Sequence, residues 1–170
     1  MQLQGEKIVL RSVLPADADL LYKWENDKAN WQISGTKKAF TKKQIKEFIA
    51  GQKDIYLDKQ LRLMICRGNS PLSRGIKGDV AVGCIDLFAF DQPNLNSGIG
   101  ILIDKKYRKK GYASEALALL IIYSFEVLNL HNLYCNISDE NTASLKLFQK
   151  HNFRITEKKK NVSFLELTNK

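Results

Sequence analysis

Six consecutive residues hold the densest chemistry in this chain: Arg108, Lys109, Lys110, Gly111, Tyr112 and Ala113, followed at once by apolar residues at helical spacing. The first N–H groups of a helix have no partners within it, and the aligned peptide dipoles add positive potential there. A phosphate at such an end meets several backbone donors together. Gly111 suits the position, because glycine lets the backbone approach an anion closely or take up positive φ. The three cations add full charges around it. Other phosphate loops are absent: no GxxxxGK[ST] occurs, and "GIGILI" lacks the third glycine of GxGxxG. An isolated basic run reads as a solvated turn. This one stands between the strand-like "GIGILID" and a long apolar helix pattern, which favours an anion site.

The elements that must position this turn follow from pattern. "IVLRSV" is strand-like, and Pro15 opens a helix in which Asp17 and Asp19 favour the N-terminus and Leu20, Leu21 and Trp24 form the apolar stripe. Thr41 is an N-cap for a second helix with Ile45, Phe48 and Ile49 inward. "LRLMICR" is a strand, residues 68–79 are a loop rich in turn formers, and "VAVGCIDLFAF" and "GIGILID" pair as a hairpin across "DQPNLNS". The helix after Gly111 runs to about Leu128 on Leu117, Leu120, Ile121 and Ser124. "LYCNI" is a strand, residues 141–150 form a helix with Leu145, Leu147 and Phe148, and two strands close the chain. The order is βααβββαβαββ, an α+β (mixed α/β) domain spanning residues 1–170.

Composition narrows the classes. The 170 residues are 44% hydrophobic and 26% charged, ordinary for a globular protein. No apolar run approaches the roughly 20 residues of a membrane span, and "MQLQGEKIVLRS" lacks a signal-peptide layout, so a cytoplasmic location is expected. Cys66, Cys84 and Cys135 are scattered through apolar segments without a CxxC pair, and His131 and His151 have no HxxxH partner. They read as core thiols and isolated histidines, with no metal expected. The net charge of +9 favours anionic partners.

The turn and its setting resemble the GNAT superfamily of N-acetyltransferases, whose signature [RQ]xxGx[GA] is matched by Arg108, Gly111 and Ala113. A second signature, ENxxSxxLYxKxGF, is approached by "DENTASLKLFQKHNF", with Asn141, Ser144 and Phe153 in register. The similarity covers about residues 7–167 and is nearest the branch of ribosomal-protein and spermidine acetyltransferases. It implies a central, mostly antiparallel, splayed sheet flanked by about four helices. It also implies acetyl-CoA as co-substrate, its pyrophosphate on the six-residue turn and its amide arm pairing with the splayed strand at Ile101, Leu102 and Ile103. Gly98 and Gly100 fit such a close approach. Asn141 would bond the arm, with Ser144 and Phe148 nearby.

Two positions depart from the family. The place of its usual glutamate base is Gly98, and that of its tyrosine acid is Phe148. Direct transfer still needs amine deprotonation, oxyanion donors and thiolate departure. Asp86 is the expected substitute base, sharing a strand face with Val82, Cys84, Phe88 and Phe90, where burial would raise its pKa. Backbone N–H groups around Leu102 would serve the oxyanion, and Tyr134, Ser144 and Tyr112 are candidate acids. The family's acceptor side points to Trp24, Glu25, Asp27 and Trp31 and to the 68–79 loop, as charge and aromatic faces for an amine. The acceptor is expected to be a primary amine, on a small molecule or a protein N-terminus, with the enzyme a monomer or homodimer. A rival is a non-catalytic module of the same fold binding RNA or the ribosome through its basic surface. Against it, the aromatic residues fall on core stripes rather than among the basic runs.

Overall fold

A computed structural model provides the structure and describes residues 1–34, 36–68 and 80–169. Strands β1 (Gln2–Gln4), β2 (Ile8–Ser12), β3 (Leu61–Arg67), β4 (Val80–Asp91), β5 (Asn96–Ile103), β6 (Asn132–Ser138), β7 (Arg154–Lys159) and β8 (Val162–Thr168) form a single sheet, ordered β1-β2-β3-β4-β5-β6-β8-β7. Neighbours are antiparallel except β5 and β6, which are parallel and therefore need a crossover. Helix α5 (Tyr112–Ile122) supplies it, so the turn at 108–113 lies where β5 hands over to its crossover helix. The expected α+β architecture is the one observed.

Helices α1 (Ala18–Glu25), α2 (Lys28–Ser34), α3 (Lys42–Gly51) and the single turn α4 (Ile55–Asp58) precede β3, and α6 (Thr142–Lys150) follows β6. Two of them cover one face of the sheet: Leu21 and Trp24 of α1 and Ile45 and Ile49 of α3 bury Met64, Cys66 and Cys84. The opposite face takes α5 through Leu117 and Leu120, packed on Leu63, Ile65, Ile85 and Ile99. The same core receives Phe148 of α6, edge-on to Phe153 at 5.0 Å. Thr41 caps α3 in a reciprocal pair with Gln44.

Several local expectations are revised. The short edge strand β1 carries no sequence pattern of its own and forms by pairing with β2. Pro15 opens a 3-10 turn rather than an α-helix, and the expected first helix divides into α1 and α2. Asn26 breaks it: its side-chain amide donates to Tyr22 O and Phe40 O, both at 3.0 Å, competing with the helical ladder. Asp27 then starts α2 by accepting from Ala29 N–H. Asp17 is not a dipole partner alone; it forms a two-pronged ion pair with Arg11 and accepts from Leu14 N–H. Leu20, expected inward, is exposed. The helix after Gly111 stops being α at Ile122 and widens to a π turn over Tyr123–Val127, closed by Leu128 N–H to Tyr123 O at 3.1 Å. The loop expected at 68–79 lies outside the described residues beyond Gly68.

Candidate active site

The parallel pairing of β5 with β6 is brief. It covers Asn96 with Asn132, Ser97 with Leu133 and Gly98 with Tyr134, and ends there. β5 continues to Ile103 beside β4, and β6 continues to Ser138 beside β8, so the strands diverge past Gly98 and Tyr134. The divergence leaves the β6-facing edge of residues 99–103 without a strand partner among the described residues, about 16 Å of edge at roughly 3.3 Å per residue. Ile101, Leu102 and Ile103 lie on that edge, half-buried. An open edge of this kind can pair with an extended amide-bearing chain.

The open edge leads into the basic turn. Asp104 starts a 3-10 turn over Lys105–Tyr107, Arg108 is extended, and Lys109 and Gly111 both take positive φ, 61° and 85°. Gly111 is the N-cap of α5 and carries no side-chain cap, so the first N–H groups of the helix face outward from a bare glycine. A Cβ there would meet only Lys7 Nζ, at 3.8 Å; positive φ, not crowding, explains the glycine. The Tyr107 ring gathers Lys106 at 4.9 Å and Lys110 and Arg67 each at 5.7 Å. Arg108 folds back, its Nε–H donating to Ile103 O at 3.0 Å, into a cleft with Lys23, Trp24, Asp27, Asn30, Asp104 and Lys105. Lys109 and Lys110 have no carboxylate within ion-pair distance among the described residues. The cations and helix end thus form a positively charged cradle at the mouth of the diverging strands. Ser114, one turn into α5, shares a 2.8 Å hydrogen bond with His151 Nε2, tying this turn to the end of α6.

The residues expected to do acid–base chemistry are distributed differently. Asp86 is not a free buried base: Arg62 donates Nε–H to one oxygen at 2.6 Å and Nη2–H to the other at 3.1 Å. Arg62 also bonds Glu25 through Nη1 and stacks over Phe48, its guanidinium 5.1 Å from the ring. Burial opposes the Arg62 charge, but the carboxylates of Asp86 and Glu25 outweigh it and hold the proton more firmly than usual. The expected common face is also broken. β4 bulges at Val82 and around Ala89, where φ is 48°, so Val82 and Phe90 turn into the α5 core while Cys84, Asp86 and Phe88 keep the other face. Arg62 was missed by sequence reasoning; its signal is a charge within the apolar alternation of "LRLMICR".

Tyr134 stands at the last residue pair before the strands part, half-buried, its ring edge-on to Phe88 at 6.0 Å. Burial, with a smaller contribution from Asp91, pushes its phenol above the usual tyrosine range. Asn141 is the N-cap of α6, accepting from Ser144 N–H at 3.2 Å, which leaves its amide donors unused among the described residues. Phe148, expected beside the cofactor arm, is instead buried against Phe153, since α6 turns it into the core. Leu102 pairs with Cys84 and packs against the α1 and α3 cluster.

The expected acceptor residues are largely committed to structure. Trp24 is buried and donates its indole N–H to Asp104 at 3.0 Å, Trp31 donates to Glu25 O at 2.8 Å, and Glu25 serves Arg62. Asp27 pairs with Lys105 at 3.1 Å. These residues do not form an open aromatic cage, because α1 must bury Trp24 to pack on the sheet. All three cysteines are buried, and burial pushes the Cys135 thiol up to about 12.

Comparison with known proteins places this fold in a family. The acetyltransferase (GNAT) domain model matches residues 7–154. The chain belongs to the GNAT family. An uncharacterized N-acetyltransferase p20 of Bacillus licheniformis is 28% identical over 153 residues, covering 89% of this chain and 82% of that protein. Spermidine N(1)-acetyltransferase of Escherichia coli is 30% identical over 73 residues, 43% of this chain and 39% of that protein. The fold also matches spermidine N-acetyltransferase from Vibrio cholerae, solved in complex with CoA and spermine, with TM-score 0.82 at 16% identity over 96% of both chains. This GNAT protein is accordingly an N-acetyltransferase, of a family that uses acetyl-CoA.

Proposed function

We propose that this GNAT enzyme transfers acetyl from acetyl-CoA to a primary amine by direct attack. The observation that carries the reading is the continuity of the open β5 edge with the uncapped, cation-ringed start of α5. The edge accommodates the extended amide arm at Ile101, Leu102 and Ile103. The pyrophosphate is held by the backbone and side chains of Arg108, Lys109, Lys110, Gly111, Tyr112 and Ala113, with Arg67 and Lys7 within the same positive field. The unused amide of Asn141 supplies a further hydrogen bond to the arm, with Ser144 beside it.

In the transfer, the neutral amine nitrogen forms a bond to the thioester carbonyl carbon while the C–O π pair moves to oxygen. Backbone N–H groups on the open edge around Leu102 stabilise that oxyanion. The nitrogen, positively charged after attack, gives its extra proton to water; collapse of the oxyanion then breaks the C–S bond, and the thiolate takes a proton. We assign Tyr134 to provide it, because it stands at the last residue pair before the strands part and a phenol is protonated at neutral pH. A thiol with ordinary pKa near 8.5 also leaves with little assistance. Asp86, tied to Arg62, shapes the acceptor side rather than accepting the amine's proton. The acceptor reading is supported by the spermidine acetyltransferases among the relatives and neighbours.

The test is calorimetric titration with acetyl-CoA at two salt concentrations, on the native enzyme and on Lys109→Glu/Lys110→Glu. One-site binding that persists at the higher salt, and at least tenfold weaker binding by the variant, are expected. Equal affinity in the two proteins would remove the pyrophosphate assignment.

A further inference from the structure

On the α1 and α3 side of the sheet, the helical cluster packs on β3, β4 and Leu102 at the far end of β5. Beyond them β6 and β8 present Tyr134, Asn136, Phe164 and Glu166, all half-buried or exposed, while their alternate residues Leu133, Cys135 and Leu165 enter the core beneath α5 and α6. The register puts one row of side chains across this open face. Phe88 pairs with Gly98, Gly98 with Tyr134, Tyr134 with Glu166, and Glu166 with Arg154. Directly paired residues point to the same face, and the Phe88–Tyr134 ring contact confirms it for this row.

Two features single the row out. A Cβ at Gly98 would lie 2.2 Å from Phe88 Cε2, so the Phe88 ring occupies the space above Gly98 where any side chain at that position would stand. Phe88 is nevertheless 38% exposed, so the ring is a wall with one face to solvent. Glu166 is exposed and makes no hydrogen bond or ion pair among the described residues. The other acids of this face are engaged: Asp86 and Glu25 by Arg62, and Asp91 by Asn94. Arg154 faces Glu166 from β7 without an ion pair to it. In a chain of net charge +9, a free carboxylate paired with Tyr134, whose ring in turn contacts Phe88, marks a place for a cation.

We propose that this row is the acceptor site: the amine arrives as an ammonium held by Glu166, against the rings of Phe88 and Tyr134, next to the point where the β5 edge opens. The proposal rests on the N-acetyltransferase reading above and names its acceptor class, a primary amine on an apolar alkyl or aryl arm whose only charge is the reacting nitrogen's own. The ammonium must release its proton to water before attack, since only the neutral nitrogen has a lone pair to give. A polyamine is disfavoured, because the second and third charges find no further unpaired carboxylate in the row.

The test measures steady-state acetylation of hexylamine, 2-phenylethylamine and spermidine by the native enzyme, Glu166→Gln, Glu166→Asp and Phe88→Ala. For the two monoamines Glu166→Gln raises KM about tenfold, Glu166→Asp restores most of it, and KM for acetyl-CoA stays within twofold. Phe88→Ala raises the aryl amine's KM most. Native preference for spermidine, or monoamine KM values indifferent to Glu166→Gln, would overturn the site. Acetyl-CoA binding without acetylation of any of the three amines would also overturn it while leaving the cofactor cradle standing; failure to bind acetyl-CoA would instead sink the reading on which it rests.

Discussion

Replacing Asp86 with asparagine separates a structural carboxylate from a catalytic one. The Asp86 and Arg62 side chains are 22% and 20% exposed, between a surface pair and a fully buried one. At an effective dielectric of about 20 and about 4 Å, opposite charges attract by roughly 4 kcal/mol. Exposure and the cost of desolvating both groups cancel a good part of that. Asparagine keeps the shape and one acceptor, so the net loss is about 2 kcal/mol, below the 3–5 kcal/mol typical of breaking a fully buried pair. For a chain in the 150–250 residue range this lowers Tm by about 4–8 °C. Glu25 remains on Arg62, which limits the damage.

The assay pairs thermal unfolding with the pH profile of kcat/KM for Asp86→Asn, Arg62→Met and the double variant. The single variants destabilise by similar amounts, and the double variant falls short of their sum by about 1–2 kcal/mol, because each removes the same interaction. Activity falls severalfold in step with stability, and the shape of the pH profile is unchanged. An Asp86→Asn protein with native Tm, a hundredfold lower kcat and a lost acidic limb would refute this: the carboxylate would then be the base, and its bond to Arg62 incidental.

Two further outcomes are expected. Gly111→Ala forces a Cβ into φ +85°, which costs about 1–2 kcal/mol in the left-handed region; denaturant unfolding should show this loss and calorimetry a severalfold weaker acetyl-CoA affinity, whereas native values for both would mean the turn tolerates another geometry. For Asp104, burial pushes the carboxyl pKa up, but hydrogen bonds from the Trp24 indole and Lys106 N–H, with the charges of Lys23 and Lys106, leave it below its usual value. A folded pKa below the unfolded one gives stability that is fully present above about pH 4 and is lost as pH falls through the folded value. Asp104→Asn should therefore lower Tm at pH 6 and approach the native protein as pH falls below the usual carboxylate range, and parallel curves would show that the carboxylate contributes nothing there.

What was legible in the sequence is what local pattern controls. The basic turn, its glycine and the helix after it are contiguous, so the uncapped start of α5 could be read directly, as could the Thr41 cap of α3. The parallel pair where the sheet parts was not read there: a helix between "GIGILID" and "LYCNI" permits it, but only the register shows it. The surroundings of Asp86 were not legible either, for a specific reason. Assigning Asp86 to a face with Val82 and Phe90 assumes an unbroken alternation, and two bulges in β4 break it. Its partner Arg62 lies on another strand, where only register reveals the pairing. Glu166 is harder still, since nothing near it in "SFLELT" distinguishes it from any exposed strand residue. Its place beside Tyr134 exists only through the β6–β8 register, and Tyr134 comes to the opening only through the β5–β6 register. The cradle proposed for the cofactor, built on a helix end, rests on a few neighbouring residues. An acceptor site laid across four strands becomes visible only when the registers are known, and a one-residue slip in either pairing would turn the carboxylate away from the amine.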